Sequence, residues 1–149
     1  MCNPAVIKRY LNKISGPLLD RIDLHVEVTP VPFDELTGAR PPSENSKDVL
    51  ARVTKAREIQ EERFKDKEGI HCNGQMPGYL VREICQINQP GQILVKKAME
   101  KLQLSARAYD RILKVARTAA DLAGSEDIKI EHLAEAIHFR SLDREGWAG

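Results

Sequence analysis

Two groups of charged residues have the types and spacing that could do chemistry. The first is the run of Asp, Arg, Ile and Asp at residues 20–23, which follows the helix-breaking pair Gly16-Pro17. The Arg21 guanidinium in this run offers a planar fork of donors that fits phosphate oxygens, and flanking carboxylates can hold it in place. Structural ion pairs are more common than phosphate ligands, so a turn pinned by a salt bridge is the competing interpretation.

The second group is a basic stripe of Arg107, Arg111 and Lys114, spaced at i, i+4 and i+7. Residues at these spacings share one face of a helix. Arg107 falls in the first turn after Ser105, where unpaired N–H groups and the positive end of the helix dipole attract anions. The stripe is therefore a candidate for a second anion contact, although the residues alone favour an ordinary solvated helix face.

A strand is predicted beside the first group. Leu24, Val26 and Val28 alternate with two polar residues, which is the period of a half-buried strand. Prolines at positions 30 and 32 end it, because proline cannot donate to a ladder. Residues 31–45 are rich in Pro, Gly, Ser and charge, and we interpret them as a linker.

Everything after the linker is predicted to be helical. Ser46 is the expected N-cap of a helix reaching Phe64, and shorter helices are expected to begin at Pro77 and Pro90. The most regular helix begins at Ser105 and ends at Gly124. A last helix is predicted over residues 130–140. The predicted apolar stripe of the first long helix contains Val49, Leu50, Val53, Ala56 and Phe64.

Composition excludes several classes of protein. The chain has 149 residues, a formal net charge of +1 and no apolar run of transmembrane length. The near-neutral charge gives no general field for nucleic acid or a membrane surface. Cys2, Cys72 and Cys85 lack CxxC spacing, so we interpret them as reduced thiols of a cytoplasmic protein and predict no metal site. No phosphate-binding loop of the form GxxxxGK[ST] and no supported nucleophile–base arrangement occur in the sequence.

Two stretches together resemble a known family. Residues 13–24, with the core pattern Pro-Leu-Leu-Asp-Arg-Ile-Asp, and residues 104–118, which begin Leu-Ser-Ala-Arg-Ala-Tyr-Asp-Arg, are similar to the C-terminal part of the magnesium-chelatase-like AAA+ ATPases. More narrowly, they resemble the branch of bacterial competence proteins named ComM. The ending at residues 134–140 is similar as well, so the resemblance covers nearly the whole chain.

The resemblance implies a fold and a division of the chain. The fold would be mainly α: a helical lid domain of about four to five helices, preceded by a remnant of an αβα core with one strand. Residues 1–30 would end the core, 31–45 would be the linker, 46–142 the lid and 143–149 a loose tail. The Walker A and B motifs would lie before Met1, so no ATP hydrolysis is expected of this chain alone.

The resemblance also implies roles for two arginines. Arg21 would be the arginine finger, contacting in trans the γ-phosphate of ATP bound to the neighbouring subunit. Arg107, in the Ser-x-Arg pattern, would be the sensor 2 residue that contacts ATP phosphate. ATP and Mg²⁺ would be the cofactors of a full-length parent. That parent would be a homo-oligomeric ring, expected as a hexamer, that remodels DNA or protein.

Two other functions remain open at this point. The chain could be a non-enzymatic helical module that binds a protein partner, in which case Arg21 is purely structural. It could instead bind nucleic acid directly through Arg111, Lys114 and Arg117, although the near-neutral net charge weakens this alternative.

Overall fold

The computed structural model describes residues 13, 15–19, 21–31, 33 and 44–140. The α-helices within these residues are α1 (Gly16–Leu19), α2 (Ser46–Phe64), α3 (Gly78–Ile84), α4 (Gln89–Leu102), α5 (Ala106–Leu122) and α6 (Ile130–His138), with a 3₁₀ turn at Asn73–Gln75. The predicted class, a mainly α fold with four to five helices after the linker, is confirmed. Cys2, the tail at 143–149 and most of the 31–45 linker lie outside the described residues.

The predicted strand at Leu24–Val28 is wrong. These residues are irregular in the structure, and Leu24, Val26 and Val28 are 47%, 64% and 87% exposed. A strand is stabilised by a ladder to a neighbouring strand. Residues 21–31 find no such partner in the part of the chain that the structure describes, so the alternating pattern has no sheet to join.

Side-chain caps explain where three of the helices begin. The Asn45, Asn88 and Ser105 side chains accept hydrogen bonds from the backbone N–H groups of Asp48, Gly91 and Ala108, at 3.0, 2.9 and 3.2 Å. Each bond satisfies one of the N–H groups that a helix start leaves unpaired. The predicted cap at Ser105 is confirmed, whereas the cap of α2 is Asn45 and not Ser46.

Helix α5 ends at Leu122, and Gly124 terminates it two residues later, as predicted. Gly124 has a φ of +66°, a left-handed conformation that costs glycine little. Its N–H donates to the Asp121 carbonyl at 3.0 Å, and the Ser125 N–H donates to the Ala120 carbonyl at 2.8 Å. These two bonds form a Schellman motif, which satisfies carbonyls at the helix end and turns the chain toward α6.

The core is built around α5. Its Ile112, Leu113, Ala116 and Ala120 are buried, and small alanine side chains let neighbouring helices approach closely. The other members of the buried apolar cluster are Phe64, Met76, Leu80, Val81, Cys85, Val95, Ile128, Leu133 and Ala136. No helix of the described ranges is both long enough and apolar enough to cross a membrane.

Only the C-terminal half of α2 packs on this core. Ala56, Gln60 and Phe64 are buried, whereas Val49, Leu50 and Val53 are exposed. The apolar stripe predicted for the whole helix is therefore correct only at its end. The stripe follows helical periodicity, but the described core reaches α2 only from Ala56 onward, so the first ten residues of the helix, almost three turns, are left uncovered.

A buried carboxylate joins four parts of the chain. Asp121 of α5 accepts hydrogen bonds from Arg63 of α2 at 2.5 and 2.7 Å, from Asn73 of the 3₁₀ turn at 2.7 Å and from Arg117 at 3.2 Å. Arg117 also donates to the carbonyls of Ser125 and Glu126, both at 2.6 Å. The Asp121 side chain has no exposed surface, so these donors replace all of its hydration.

Helices α4 and α6 cross at Gly91. A Cβ atom at this position would lie 2.8 Å from Cδ1 of Leu133 and 3.1 Å from Oδ1 of Asn88. Leu133 is fully buried, and the Asn88 oxygen is the cap of α4, so neither can move away without cost. Position 91 therefore requires glycine, because a Cβ atom there would be too close to Leu133 and Asn88.

We expect Gly91→Ala to destabilise the chain by about 1 kcal/mol, because overpacking of Leu133 outweighs the better helix propensity of alanine. Urea unfolding measures the change as a shift in midpoint. Gly78→Ala is the matched control: its Cβ would have Asp110 Oδ2 as nearest atom at 3.6 Å, an ordinary contact. Equal midpoints for the two variants would contradict this account of the α4–α6 crossing.

We expect Asp121→Asn to lower the free energy of unfolding by about 2–4 kcal/mol, because it leaves the partly buried Arg63 and buried Arg117 without their counter-charge. The same urea unfolding experiment measures it. Asp127→Asn is the control, since Asp127 is exposed and its carboxylate makes no hydrogen bond to a described residue. A loss no larger than that of the control would show that the Asp121 carboxylate is not needed for stability.

Candidate functional site

Arg21 lies in a tight turn after α1. The Leu18 N–H donates to the Ser15 carbonyl, and the Arg21 N–H donates to the Leu18 carbonyl, both at 3.0 Å. These consecutive backbone bonds fix the direction of the chain at Arg21. Its side chain is exposed and makes no hydrogen bond or ion pair with another described residue. Asp20, predicted to flank it, lies outside the described residues.

The residues that follow Arg21 dock on the ends of α5 and α6. We name residues 22–25 the docked segment. The Asp23 carboxylate accepts a hydrogen bond and ion pair from the Arg111 guanidinium of α5. The Ile22 carbonyl accepts from Arg140, and the His25 N–H donates to the Phe139 carbonyl at 2.9 Å. Two motifs that are 88 residues apart in the sequence are therefore in direct contact.

The side chains of the docked segment that approach the helices are not the ones predicted. Asp23 and His25 are half-buried, whereas Leu24 and Val26 are exposed. The alternating pattern itself is present, but the polar side faces the described helices. Leu24 lines a groove beside α5, whereas Val26 and Val28, which follow the docked segment, are left exposed by the described residues.

Arg107 lies in the first turn of α5, as predicted. It is the second residue of the helix and its side chain is exposed, without a hydrogen bond to the described part of the chain. The Ser105 hydroxyl accepts a hydrogen bond from the Ala108 N–H, so that N–H is not available to an anion. The remaining N–H groups at the helix start and the Arg107 guanidinium are suited to an anion such as phosphate.

The rest of the predicted basic stripe has other partners. Arg111 binds Asp23, and Lys114 donates to the Gly74 carbonyl at 3.0 Å, which ties α5 to the 3₁₀ turn. Arg117 is only 4% exposed and is bound within the Asp121 cluster. Direct nucleic-acid binding through Arg111, Lys114 and Arg117 loses its main support, because two of these side chains are occupied and the third is buried.

A groove of about 620 Å³ runs along α5 beside the docked segment. Its lining is mostly apolar, from the α5 residues Val115, Ala119 and Leu122 and from Leu24 and Phe139. The charged residues on its lining are Asp23, Arg52, Lys114 and Glu135. These side chains include no nucleophile with a base beside it, so the groove has the chemistry of a packing surface and not of a catalytic site.

The cysteines of the described chain do not form a reactive or metal site. Cys72 and Cys85 are free thiols, and burial raises the pKa of Cys85 from 9.0 to about 11, which keeps it protonated. No group of three or more His, Cys, Asp or Glu side chains in the described ranges could hold a metal ion.

Sequence reasoning missed two parts of this arrangement. The Arg117–Asp121 pair has the visible i, i+4 spacing, but Arg63 and Asn73 are 58 and 48 residues from Asp121, so the cluster has no local signal. Arg140, only 1% exposed, is predicted only as the end of the last helix, yet it donates to the Ile22 carbonyl. Nothing in the sequence around Arg140 indicates that contact.

Comparison with known proteins places the chain in a family. Residues 43–140 match the family described as magnesium chelatase, subunit ChlI C-terminal, and residues 1–36 match the family described as magnesium chelatase, subunit ChlI. Competence protein ComM of Haemophilus influenzae is 42% identical over 146 residues, which cover 95% of this chain. A protein of Escherichia coli strain K12, YifB, is 38% identical over 143 residues, which cover 96% of this chain.

The chain spans 27% of the length of each of these two relatives. The ChlI C-terminal match alone covers the residues of α2 to α6, which is most of the described structure. The mainly helical fold agrees with a lid domain. The chain therefore belongs to the magnesium-chelatase-like AAA+ ATPase family, in the branch that includes ComM.

Proposed function

We propose that this chain supplies the lid and the arginine finger of a magnesium-chelatase-like AAA+ ATPase ring. In the proposed division, residues 1–30 end the αβα core and residues 46–142 form the lid. The two family matches support this division, because one ends at residue 36 and the other begins at residue 43. The parent protein would hydrolyse ATP, with this chain contributing to the active site of a neighbouring subunit.

The observation that carries the proposal is the exposure of the Arg21 side chain. Its guanidinium is exposed at a turn whose backbone is hydrogen-bonded, and it has no partner among the described residues. A purely structural arginine would be expected to bind a carboxylate, as Arg63 and Arg111 do here. An arginine presented to a neighbouring subunit can stabilise the charge that develops on the transferring phosphoryl group.

Arg107 supports the same proposal from the lid. Its place in the first turn of α5 fits contact with a phosphate of bound ATP. Mg²⁺ would accompany the ATP of the full-length parent, as the family match implies. Arg107 would then link the position of the lid to the presence of nucleotide.

The exposed side of the docked segment also supports a neighbouring core. Leu24, Val26 and Val28, which lie in and just after the docked segment, are large apolar side chains that are 47%, 64% and 87% exposed. Burying them against the proposed core would remove this apolar surface from water.

The work done by the ring is proposed from the relatives. The Haemophilus influenzae relative is a competence protein, so we propose that the ring remodels DNA, with a protein substrate as the alternative. We propose a homo-oligomer, expected as a hexamer, because an arginine supplied in trans requires a neighbour. The free thiols Cys72 and Cys85 support a cytoplasmic location.

The test replaces Arg21 by alanine in the full-length protein that carries this chain. We expect kcat for ATP hydrolysis to fall by about 10³-fold or more, because the guanidinium acts in the transition state. Steady-state ATPase assays measure it, and size-exclusion chromatography with light scattering checks that the ring assembles. Arg57→Ala is the control, since Arg57 is exposed on α2 and has no partner among the described residues. An unchanged kcat would refute the finger role.

A mixing experiment separates action in trans from action in cis. Arg21→Ala subunits are combined with subunits whose phosphate-loop lysine is replaced, each set being inactive alone. Mixed rings should regain ATPase activity, because some sites then pair an intact phosphate loop with an intact Arg21. The same mixture made with Arg107→Ala subunits shows whether Arg107 acts in cis or in trans. If mixing restores nothing with Arg21→Ala, that arginine does not act across the subunit interface.

A non-enzymatic docking role is the second candidate. The exposed Val49, Leu50 and Val53 on the projecting half of α2 favour it, since such a stripe is typical of a surface that a partner covers. Within the leading proposal, the same stripe would contact a neighbouring subunit. A full-length protein without ATPase activity, in which substituting all three by serine abolishes binding to a protein partner, would favour the second candidate.

A further inference from the structure

The ion pair between Asp23 and Arg111 joins the two parts of the proposed machinery. Arg21, the proposed finger, lies two residues before Asp23, and Arg107, the proposed phosphate sensor, lies one helical turn before Arg111. We propose that Arg111 is a positioning residue: it couples the tilt of the lid, set by the ATP that Arg107 contacts, to the presentation of the same subunit's Arg21 to its neighbour. The inference rests on the proposed function of Arg21 and Arg107.

Helix geometry makes the coupling direct on the lid side. Arg107 and Arg111 are spaced i, i+4, so their Cβ atoms lie about 6 Å apart on one face of α5. The helix between and after them is held as a rigid element, because Ile112 and Leu113 are in the core and Asp121 anchors its C-terminal end. A movement of Arg107 toward phosphate must therefore move Arg111 with it.

On the side of Arg21, the coupling is direct because Asp23 and Arg21 are close together along the chain. Asp23 is separated from Arg21 by Ile22 alone, and the Arg21 N–H is bonded to the Leu18 carbonyl in a closed turn. Pulling the Asp23 carboxylate therefore reorients the turn that presents the guanidinium. With its side chain exposed and without a described partner, Arg21 is free to follow.

The three contacts of the docked segment differ in what they can do. The Ile22 carbonyl is bound by the buried Arg140, and the His25 N–H by the Phe139 carbonyl, so these contacts attach the segment to the end of α6. The Asp23–Arg111 pair is the contact to α5, with 46% and 30% of the two side chains exposed. Because Arg111 lies on the same helix as Arg107, this pair is the contact that follows a movement of Arg107.

The other basic residues of α5 explain why Asp23 pairs with Arg111 and not with one of them. Lys114, the next basic residue along the same side of α5, is held by the Gly74 carbonyl, and Arg117 is held by Asp121. Arg107 has no carboxylate partner among the described residues. Asp23 therefore selects Arg111, and the neighbouring cations remain where their own partners hold them.

The experiment uses the full-length ring and the variants Arg111→Gln and Asp23→Asn. We expect kcat for ATP hydrolysis to fall at least about fivefold while KM for ATP stays within about twofold, because Arg107 still meets the nucleotide but Arg21 is no longer held in register. Arg57→Gln is the matched control for removing an exposed arginine and should leave both constants unchanged. The Hill coefficient for ATP should also fall, since ATP binding at one site would no longer affect hydrolysis at the next.

The swapped pair, Asp23→Arg with Arg111→Asp, is the decisive variant. We expect it to restore kcat to within about twofold of the wild type, because it rebuilds the ion pair with the charges exchanged. Because the swap would also rebuild a purely structural ion pair, the fall in the Hill coefficient of fully assembled single-variant rings is the readout that separates coupling from a loss of stability. If the Arg111→Gln ring fails to assemble, Asp23→Asn tests the loss of the ion pair from its other end. Arg111→Lys, which keeps the positive charge, then serves as the conservative variant at position 111.

Failure of this inference can be distinguished from failure of the proposed function. If Arg21→Ala leaves kcat unchanged, the finger role fails and this inference fails with it. If Arg21→Ala abolishes activity but Arg111→Gln and Asp23→Asn match the Arg57→Gln control, the coupling alone is overturned. It is also overturned if the single variants lose activity and the swapped pair does not regain it.

Discussion

The described structure depends on one buried carboxylate. Asp121 is enclosed by two guanidinium groups and an amide that come from α2, the 3₁₀ turn and α5 itself. Removing a carboxylate from water is costly unless its oxygens are fully bonded, so the elements that carry these donors must all be in place together. The carbonyls of Ser125 and Glu126 bind Arg117 in turn, which sets the path from α5 to α6.

Because the core buries one face of α5 along its length, the other face of its N-terminal half can carry exposed function. The helix passes from a buried stripe at Ala116 and Ala120 to the exposed Arg107 in one continuous rod. Arg111 lies between these regions and reaches the docked segment. A single helix thus connects the core, a proposed phosphate contact and a proposed finger, and a rigid rod transmits displacement without needing a large interface.

Local signals predicted the helices well. The Ser105 cap, the left-handed Gly124 and the i, i+4 spacing along α5 act over a few residues, so they can be recognised in the sequence. The interpretations that were wrong depended on surfaces elsewhere. The strand at Leu24–Val28 needs a ladder partner, and the stripe at Val49 and Val53 needs a core that extends far enough to cover it.

The sequence alone determined the family, the helical class and the two arginines that carry the proposed function, because these are properties of residue order and short spacing. Only the tertiary structure decided which basic residues are engaged: Arg117 buried with Asp121, Arg111 paired with Asp23, and Arg21 and Arg107 exposed. The reason is physical. An arginine's role is set by the nearest carboxylate or carbonyl, and for Arg111 that partner lies 88 residues away in the chain.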